Sequence, residues 1–471
     1  MSLQFYNSLS HRVEPLEPIH PGKIGMYTCG PTVYNFAHIG NFRCYAFEDI
    51  LKRTLLASGL KVRHVMNLTD VDDKTIRGSQ AAKVPLRQFT QTYKDAFFQD
   101  IKTLRMLPAD VYPAATDTIP EMIQLIQTLF DKGIAYQAED KSVYFSIEKW
   151  PKYGQLVKID RDAMRVGVRV KMDEYAKDAT ADFALWKAWD EADGDVWWDS
   201  PWGKGRPGWH IECSAMSSKY LGKTFDLHCG GVDNMFPHHE DEIAQSEAAN
   251  GCKFVNLWMH CAHLMVENQK MSKSLGNFYT LKDLLQKGYT GREIRYVLIS
   301  TYYRQSLNFS LQALEEARGN LQRIDAFTAR LKDLAANGPE CPLAPEQSEA
   351  LEKSAQAFLG ALQDDLNVSA GLAALFDFLR EGNREMDGGK TGRAWAQKAL
   401  EVLASMDRIL AIVEPDAQEV QVPQEVLDLA EQRQAARKAK DWARADEMRA
   451  AIEAAGWTVK DTPKGPQFLR K

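Results

Sequence analysis

The sequence predicts an α/β protein: a Rossmann-like parallel sheet split by an insertion, followed by an α-helical bundle and a small C-terminal domain. Three observations carry this. Short apolar runs alternate with amphipathic helical patterns over the first hundred residues and again after residue 206, and such alternation builds a parallel sheet. Between the two stretches, residues 120–205 change character, with mixed charges and short segments. From about residue 311 strand patterns vanish, and helical ones run to 412. A chain of 471 residues, 45% hydrophobic and 26% charged, has a globular composition and room for about three domains.

Each element follows from its residues. IGMYTC (24–29) is a short apolar run that ends in the turn GPTVYNFAHIGN. FRCYAFEDILKRTLLAS then carries Phe47, Ile50, Leu51 and Leu55 at helical spacing and stops at Gly59. With KVRHVMNLTD as a second buried strand, residues 1–119 form the first half of the sheet domain. The connective insertion, 120–205, holds five of the six tryptophans between 186 and 209, which are expected to fill a small subdomain and its seam. FDLHCGGVDN and FPHHEDE restore the strand, turn and helix order in a second half, 206–265. Residues 266–310 contain a polar loop, and 311–412 form the bundle. VEPDAQEVQVP, with its prolines and no periodicity, is a linker. The last segment, 423–471, has ten Lys/Arg against eight Asp/Glu, including the acid-free run RQAARKAK at 433–440. There is no internal repeat and no low-complexity tract.

Composition excludes some classes. The start, MSLQFYNSLSHRVEP, lacks the basic and apolar pattern of a signal peptide, and no long uncharged apolar stretch follows, so a cytoplasmic protein without a membrane span is expected. Seven scattered cysteines argue against a disulfide framework and leave thiols for metal or packing. At a net charge of −6, any nucleic-acid surface must be a local basic patch.

FPHHEDE, residues 236–242, is the densest group of potential ligands. Read as a helix with Pro237 in its first turn, it places His238 and Glu242 four apart on one face, close enough to grip one ion. Two ligands do not complete a site. HIGN, residues 38–41, sits at the first strand-to-helix turn, where unpaired N–H groups suit a phosphate. Alone it is a weak signal, since an imidazole and a glycine in a loop are more often a cap and a turn. KMSKS, residues 270–274, sets two lysines around a hydroxyl, suited to neutralising a departing polyphosphate or to a solvated surface loop.

Together, and in this order, HIGN and KMSKS resemble the paired signatures of class I aminoacyl-tRNA synthetases. The blocks YTCGPTVYNFAHIGN, NLTDVDDK, SPWGKGRPGWHIECSAMS, HCGGVDNMFPHHEDEIAQSEA and KMSKSLGNF are similar to those of the cysteinyl-tRNA synthetase family, and KAKDWARADEMRAAIEAAGW resembles that family's last domain. The resemblance runs from about residue 20 into the tail. It implies cysteine–tRNA ligation: cysteine is activated with ATP to an adenylate, then passed to the 3′ end of tRNA(Cys). It also implies one zinc ion held by Cys29, Cys213, His238 and Glu242, with Mg²⁺ accompanying ATP. Thiolate, imidazole and carboxylate are a sound donor set for zinc.

The same resemblance assigns catalytic contacts to His38, Asn41, Lys270 and Lys273. Position 41 departs from the commoner histidine, leaving a neutral amide that still donates a hydrogen bond. Gly30, Thr69, Trp209, His228, Gly230, Gly231 and Asp233 are implied in substrate and ATP binding. Thr69 is equally a helix cap for the DVDDK segment, and His228 equally a packed core histidine; Asp72 and Asp73 are expected to cap a helix or pair with cations. Cys229 is expected as a buried thiol rather than a ligand, and His239, about 100° round the helix from His238, on another face. In the tail, Arg437, Lys438, Trp442 and Trp457 could read anticodon bases, the tryptophans being alternatively core. Nothing demands a dimer, and a monomer is expected. Two rivals remain: a ligase joining cysteine to an amino sugar, against which the tail weighs, and a non-catalytic zinc and RNA-binding relative, against which the intact HIGN and KMSKS loops weigh.

Overall fold

The computed structural model describes residues 3–158, 182–272, 275–414, 423–439, 441–462 and 465–470. A small antiparallel hairpin, β1 (Gln4–Asn7) and β2 (Arg12–Pro15), opens the chain. β3 (Lys23–Thr28), α1 (Ile39–Ala57) and β4 (Lys61–Met66) then form a parallel βαβ unit. β3 is apolar on both faces, with Ile24 and Met26 in one core and Tyr27 in the other, because helices cover the sheet on both sides. α2 (Asp73–Ala82) and α3 (Leu86–Thr103) follow. Asp72 caps α2 by accepting from the Thr75 N–H at 2.7 Å, while Asp73 pairs with Lys187 at 3.0 Å and with Arg206. Both carboxylates therefore serve as cap and cation partner, and Thr69 is not the cap.

The insertion consists of α4 (Ile119–Asp131) and an antiparallel sheet in the order β5 (Ala135–Gln137), β6 (Val143–Phe145), β7 (Phe183–Ala188) and β8 (Gly205–Pro207). Its tryptophans divide: Trp186 is buried in the core with Trp202 against it, whereas Trp189 is exposed. Buried Arg206 joins this sheet to α2, its Nε 2.8 Å from Asp193 and its other end on Asp73. Two carboxylates offset the desolvation of one guanidinium, so removing Asp193 should cost about 3 kcal/mol.

α5 (Trp209–Leu221), β9 (Phe225–Gly231), α6 (Glu240–Asn250) and β10 (Val255–Cys261) complete the sheet. Its order is β10–β9–β3–β4, all parallel. The two halves meet where β3 lies beside β9, and the strand order reverses there. A crevice opens at the carboxyl ends of strands at such a point.

Beyond it, β11 (Leu264–Val266), β12 (Gln269–Lys270) and β13 (Leu307–Phe309) form a three-stranded sheet that encloses α7 (Leu281–Gln286) and α8 (Gly291–Ser300) in sequence. Four helices follow: α9 (Leu311–Asn337), α10 (Pro345–Gln363), α11 (Val368–Asp387) and α12 (Arg393–Leu410). On α9 the buried residues Leu314, Ala317, Leu321, Ile324, Thr328 and Leu331 recur at the three- and four-residue spacing of one helix face. Arg295, wholly buried on α8, lies 2.6 Å from Asp49 of α1 and donates to the carbonyls of Leu104 and Leu410, which ties bundle to sheet. No helix among the described residues is long and apolar enough to cross a membrane.

The tail is a separate compact unit from Glu414 on. α13 (Gln424–Lys438) and α14 (Trp442–Ala454) precede a hairpin of β14 (Trp457–Thr462) and β15 (Gly465–Arg470). The hairpin corrects the expectation that strands end near residue 311. Trp457 joins the unit's core with Val426, Ala430, Ile452 and Val459, but Trp442 is 60% exposed, so only one of the two tryptophans is core.

Candidate active site

At the carboxyl ends of β3, β9 and β10 lies a cavity of ≈ 610 Å³. Among the residues named from sequence, it is lined by Cys29, Gly30, His38, Asn41, Thr69, Trp209, Gly231, Asp233, His238 and Lys270. Strands and helices far apart in the chain converge here because the sheet's two halves place their strand ends side by side.

HIGN forms the start of α1. His38 is the N-cap; its Nδ1 accepts from the Asn41 N–H at 3.3 Å, and Asn41 Oδ1 accepts from the His38 N–H at 3.1 Å. With Nδ1 accepting, the neutral imidazole carries its proton on Nε2 as a hydrogen-bond donor. The backbone N–H of residue 41 thus sets the His38 ring, while the Asn41 side-chain amide closes the cap on the His38 backbone without charge. The segment after KMSKS docks on this loop: the Ile39 N–H donates to the Tyr279 carbonyl at 3.0 Å, and Phe278 packs edge-on against His38. Lys270 is exposed on the cavity wall, its carbonyl accepting from Asn277. Lys273 and Ser274 lie outside the described residues. Asp233, opposite, is 3.0 Å from His263.

The floor is built from three buried donors and one half-buried thiol, Cys29. One ligand atom each of Cys29, Cys213, His238 and Glu242 lie within 4.8 Å of one another. Cys29 directly follows β3; its neighbour Gly30 has no room for a side chain, since a Cβ there would sit 1.8 Å from the Asn67 carbonyl oxygen. Cys213 comes from α5, and His238 and Glu242 from the bend into α6 and its first turn. A hydrogen bond with Cys213, then burial, pushes the Cys29 thiol well up; burial, then Cys213, pushes the Glu242 carboxyl well up, and burial pulls His238 down. Cys29, His238 and Glu242 on their own favour their neutral forms, and a dication at the centre would reverse this for the Cys29 thiol and the Glu242 carboxyl. Glu242 Oε1 is 3.1 Å from His238 Nε2 yet makes no hydrogen bond. Ligands of a tetrahedral zinc, at bonds of about 2.0–2.1 Å, stand roughly 3.3 Å apart, so the pair is spaced for a shared ion.

Cys29, His228, His239 and Glu242 form a second group within the same limit. It does not open onto the cavity, as neither His228 nor His239 lines it. Instead His228 Nε2 is 3.0 Å from Glu242 Oε2, and His239 Nε2 is 3.3 Å from Cys29 Sγ. These two rings support the ligands from behind, as metal sites commonly require. His239 is thus close to the site, against the expectation of another face. Glu242 stands three residues beyond His239 and four beyond His238, and both spacings share a side of a helix. His228 and Gly230 lie behind the wall; a Cβ at Gly230 would be 2.7 Å from the His239 ring. Cys229 is fully buried and belongs to neither donor group.

The other carboxylates of FPHHEDE hold the floor in place. Glu240 accepts from the backbone N–H groups of residues 154–157 of the insertion at 2.6–3.2 Å. Asp241 accepts from the Tyr153 hydroxyl and lies 3.4 Å from His210 Nε2. His210 Nδ1 in turn is 2.9 Å from His238 Nδ1, which leaves His238 Nε2 for the site. Trp209 stacks on the same ring at 4.3 Å. Thr69 donates to buried Glu212 at 2.7 Å. Behind the floor, His239 Nδ1 is 2.8 Å from His260 Nε2. Sequence inspection missed Tyr153, His210, Glu212 and His260; His210 and Glu212 were visible only as polar residues inside the GWHIEC block.

Comparison with known proteins identifies the family. Residues 15–319 match the class I (C) tRNA synthetase catalytic domain, 357–414 the DALR domain, and 420–470 the cysteinyl-tRNA ligase anticodon binding domain. The cysteine–tRNA ligase of Protochlamydia amoebophila is 48% identical, covering 100% of this chain and 98% of its own length. That of Chlamydia pneumoniae is 49% identical over 99% of this chain and 98% of the relative. Among solved structures, a Mycobacterium tuberculosis methionyl-tRNA synthetase complexed with methionyl-adenylate matches with a TM-score of 0.62 at 15% identity, over 83% of this chain and 90% of that one. A leucyl enzyme of Agrobacterium radiobacter K84, in a ternary complex with tRNA, gives 0.59 at 12% identity over 85% of each chain; these two likenesses establish the fold alone. Nearly half of all positions shared along the whole length place this chain in the cysteine–tRNA ligase family, enzymes of the class I synthetase fold.

Proposed function

We propose that the cavity holds L-cysteine and ATP side by side, with zinc bound by Cys29, Cys213, His238 and Glu242 at its floor. One observation carries this: four donors suited to zinc converge at the base of the cavity whose wall is HIGN and Lys270. When bound, zinc supplies a thiophilic Lewis acid that a cysteine sulfur can bond as thiolate, and that a serine hydroxyl meets only as a harder, less acidic donor. Trp209 and Thr69 close the amino-acid side, and the His210–Asp241–Tyr153 chain keeps the His238 ring aimed. The cysteine carboxylate attacks the α-phosphate of ATP; the bond to pyrophosphate breaks, and cysteinyl adenylate forms. His38 Nε2–H donates to the phosphates, the backbone N–H of Asn41 fixes that ring while its side chain completes the cap, and Lys270 with Lys273 neutralises charge on departing pyrophosphate, with Mg²⁺ accompanying ATP. Gly231 and Asp233 serve the adenosine side. A ribose hydroxyl of tRNA(Cys) then attacks the acyl carbon and releases AMP. In the tail, exposed Trp442 with Arg437 and Lys438 is the better candidate for base contact, since Trp457 is occupied by packing.

The test is exchange of pyrophosphate into ATP before and after removal of metal. Exchange should require cysteine, fail with serine, disappear on chelation and return with zinc. Exchange that survives complete metal removal would refute the zinc assignment.

A further inference from the structure

We propose that Tyr34 and Phe36 form a stacking platform at the mouth of the cavity for the unpaired bases at the 3′ end of the tRNA, with Lys74 and Arg77 beside it for the phosphates. The proposal rests on the ligase function and assigns the acceptor strand a place on this chain.

The two aromatics belong to the loop between β3 and α1. Pro31 and Thr32 at one end of that loop and His38 at the other line the cavity, so the residues between them stand on its rim. Tyr34 is 37% and Phe36 44% exposed, while Val33 and Ile39 of the same segment are buried. The loop does not hang loose. The Val33 N–H donates to the Thr69 carbonyl at 3.0 Å and the Thr69 N–H to the Pro31 carbonyl at 3.2 Å. Phe36 is braced by Tyr93, ring centroids 5.3 Å apart, and Tyr93 by Phe89 at 5.2 Å. Two large rings are thus held toward solvent by a backbone fixed on both sides.

Charge selects the partner. The Lys74 ammonium lies 5.3 Å from the centre of the Tyr34 ring, and Arg77, three residues on along α2, is exposed on the same side of the helix. Aromatic faces beside cations are how proteins hold single-stranded nucleic acid, since every base has a stacking face and every linkage a negative charge. The reaction itself supplies such a strand: the terminal ribose must reach the carbonyl group inside the cavity, while the bases that follow it remain outside. A cavity already shared by an amino acid and ATP leaves the rim as the ground available to them.

The experiment uses the full-length enzyme carrying Tyr34→Leu and Phe36→Leu together. Cysteine-dependent exchange should stay within about twofold of the parent, while kcat/KM for charging tRNA falls roughly 10- to 100-fold. Tyr34→Phe with Phe36→Tyr, which keeps both rings, should restore charging to within a few-fold. A tRNA bearing 2-aminopurine at its 3′-terminal position should show quenching with the parent and lose it with the leucine variant. Unchanged charging and unchanged quenching overturn the platform. Exchange and charging falling together overturn it as well, because the residues would then be structural. A parent enzyme without cysteine-dependent exchange refutes the ligase reading itself, which the platform's own failure would leave standing.

Discussion

The floor and the mouth of one cavity are built on opposite principles. At the floor, Cys213, His238 and Glu242 are at most 2% exposed, and rings and carboxylates crowd behind them. At the mouth, Tyr34, Phe36 and Lys270 face solvent on fixed backbone. A small amino acid must be told from one that differs by a single atom, which needs desolvated, directional donors whose unmet contacts are costly. A polyanion must be caught, moved and released, which exposed cations and aromatic faces do with little geometric precision. Burial therefore serves selection, and exposure serves traffic.

The largest expected effect lies at the floor. Cys213→Ser keeps the volume but replaces a soft thiolate, so bound zinc should be lost and cysteine-dependent exchange should fall on the order of 10³-fold, while circular dichroism stays native. Retained metal at full stoichiometry would show that Cys213 is not a ligand. The leucine substitutions at Tyr34 and Phe36 should produce the smaller, one-sided loss described above, confined to transfer. If either set affected both half-reactions equally, floor and mouth would not be separable.

The smallest effect concerns acid. His64 lies beneath the floor, 2.9 Å from Thr28, the residue before Cys29, and burial holds its pKa down to about 3. In the unfolded chain the ring titrates near 6.5, so below that pH the unfolded state binds a proton that the folded state refuses. The stabilising contribution is complete above pH 6.5 and is lost as pH falls toward 3, at up to about 1.4 kcal/mol per pH unit. His64→Gln should remove one proton's share of this slope in urea midpoints measured from pH 7 to pH 5. Parallel midpoints for parent and variant would contradict it.

Much of this was visible in one dimension. The apolar runs of β3 and β4 flank an amphipathic helix, and that pattern alone implies a parallel unit with a crevice at its carboxyl ends. His238 and Glu242 are linked by local spacing. Cys29 and Cys213 are not: they are 184 residues apart, and only the resemblance to a known family joined them before the fold brought them together. His239 was misplaced because spacing was measured from His238, whereas Glu242 stands one turn beyond both. The partners of Glu240 and Asp241 come from the insertion some 85 residues away, a pairing that no local pattern encodes. The tail hairpin escaped because DTPKG carries no Asn-Gly or Asp-Gly turn signal.

The most direct test of the floor's role is the absorption spectrum of the cobalt(II)-substituted enzyme. Adding cysteine should strengthen the thiolate-to-metal charge-transfer band by one further sulfur, and adding serine should leave it unchanged. A band indifferent to cysteine would contradict recognition through a direct metal–sulfur bond.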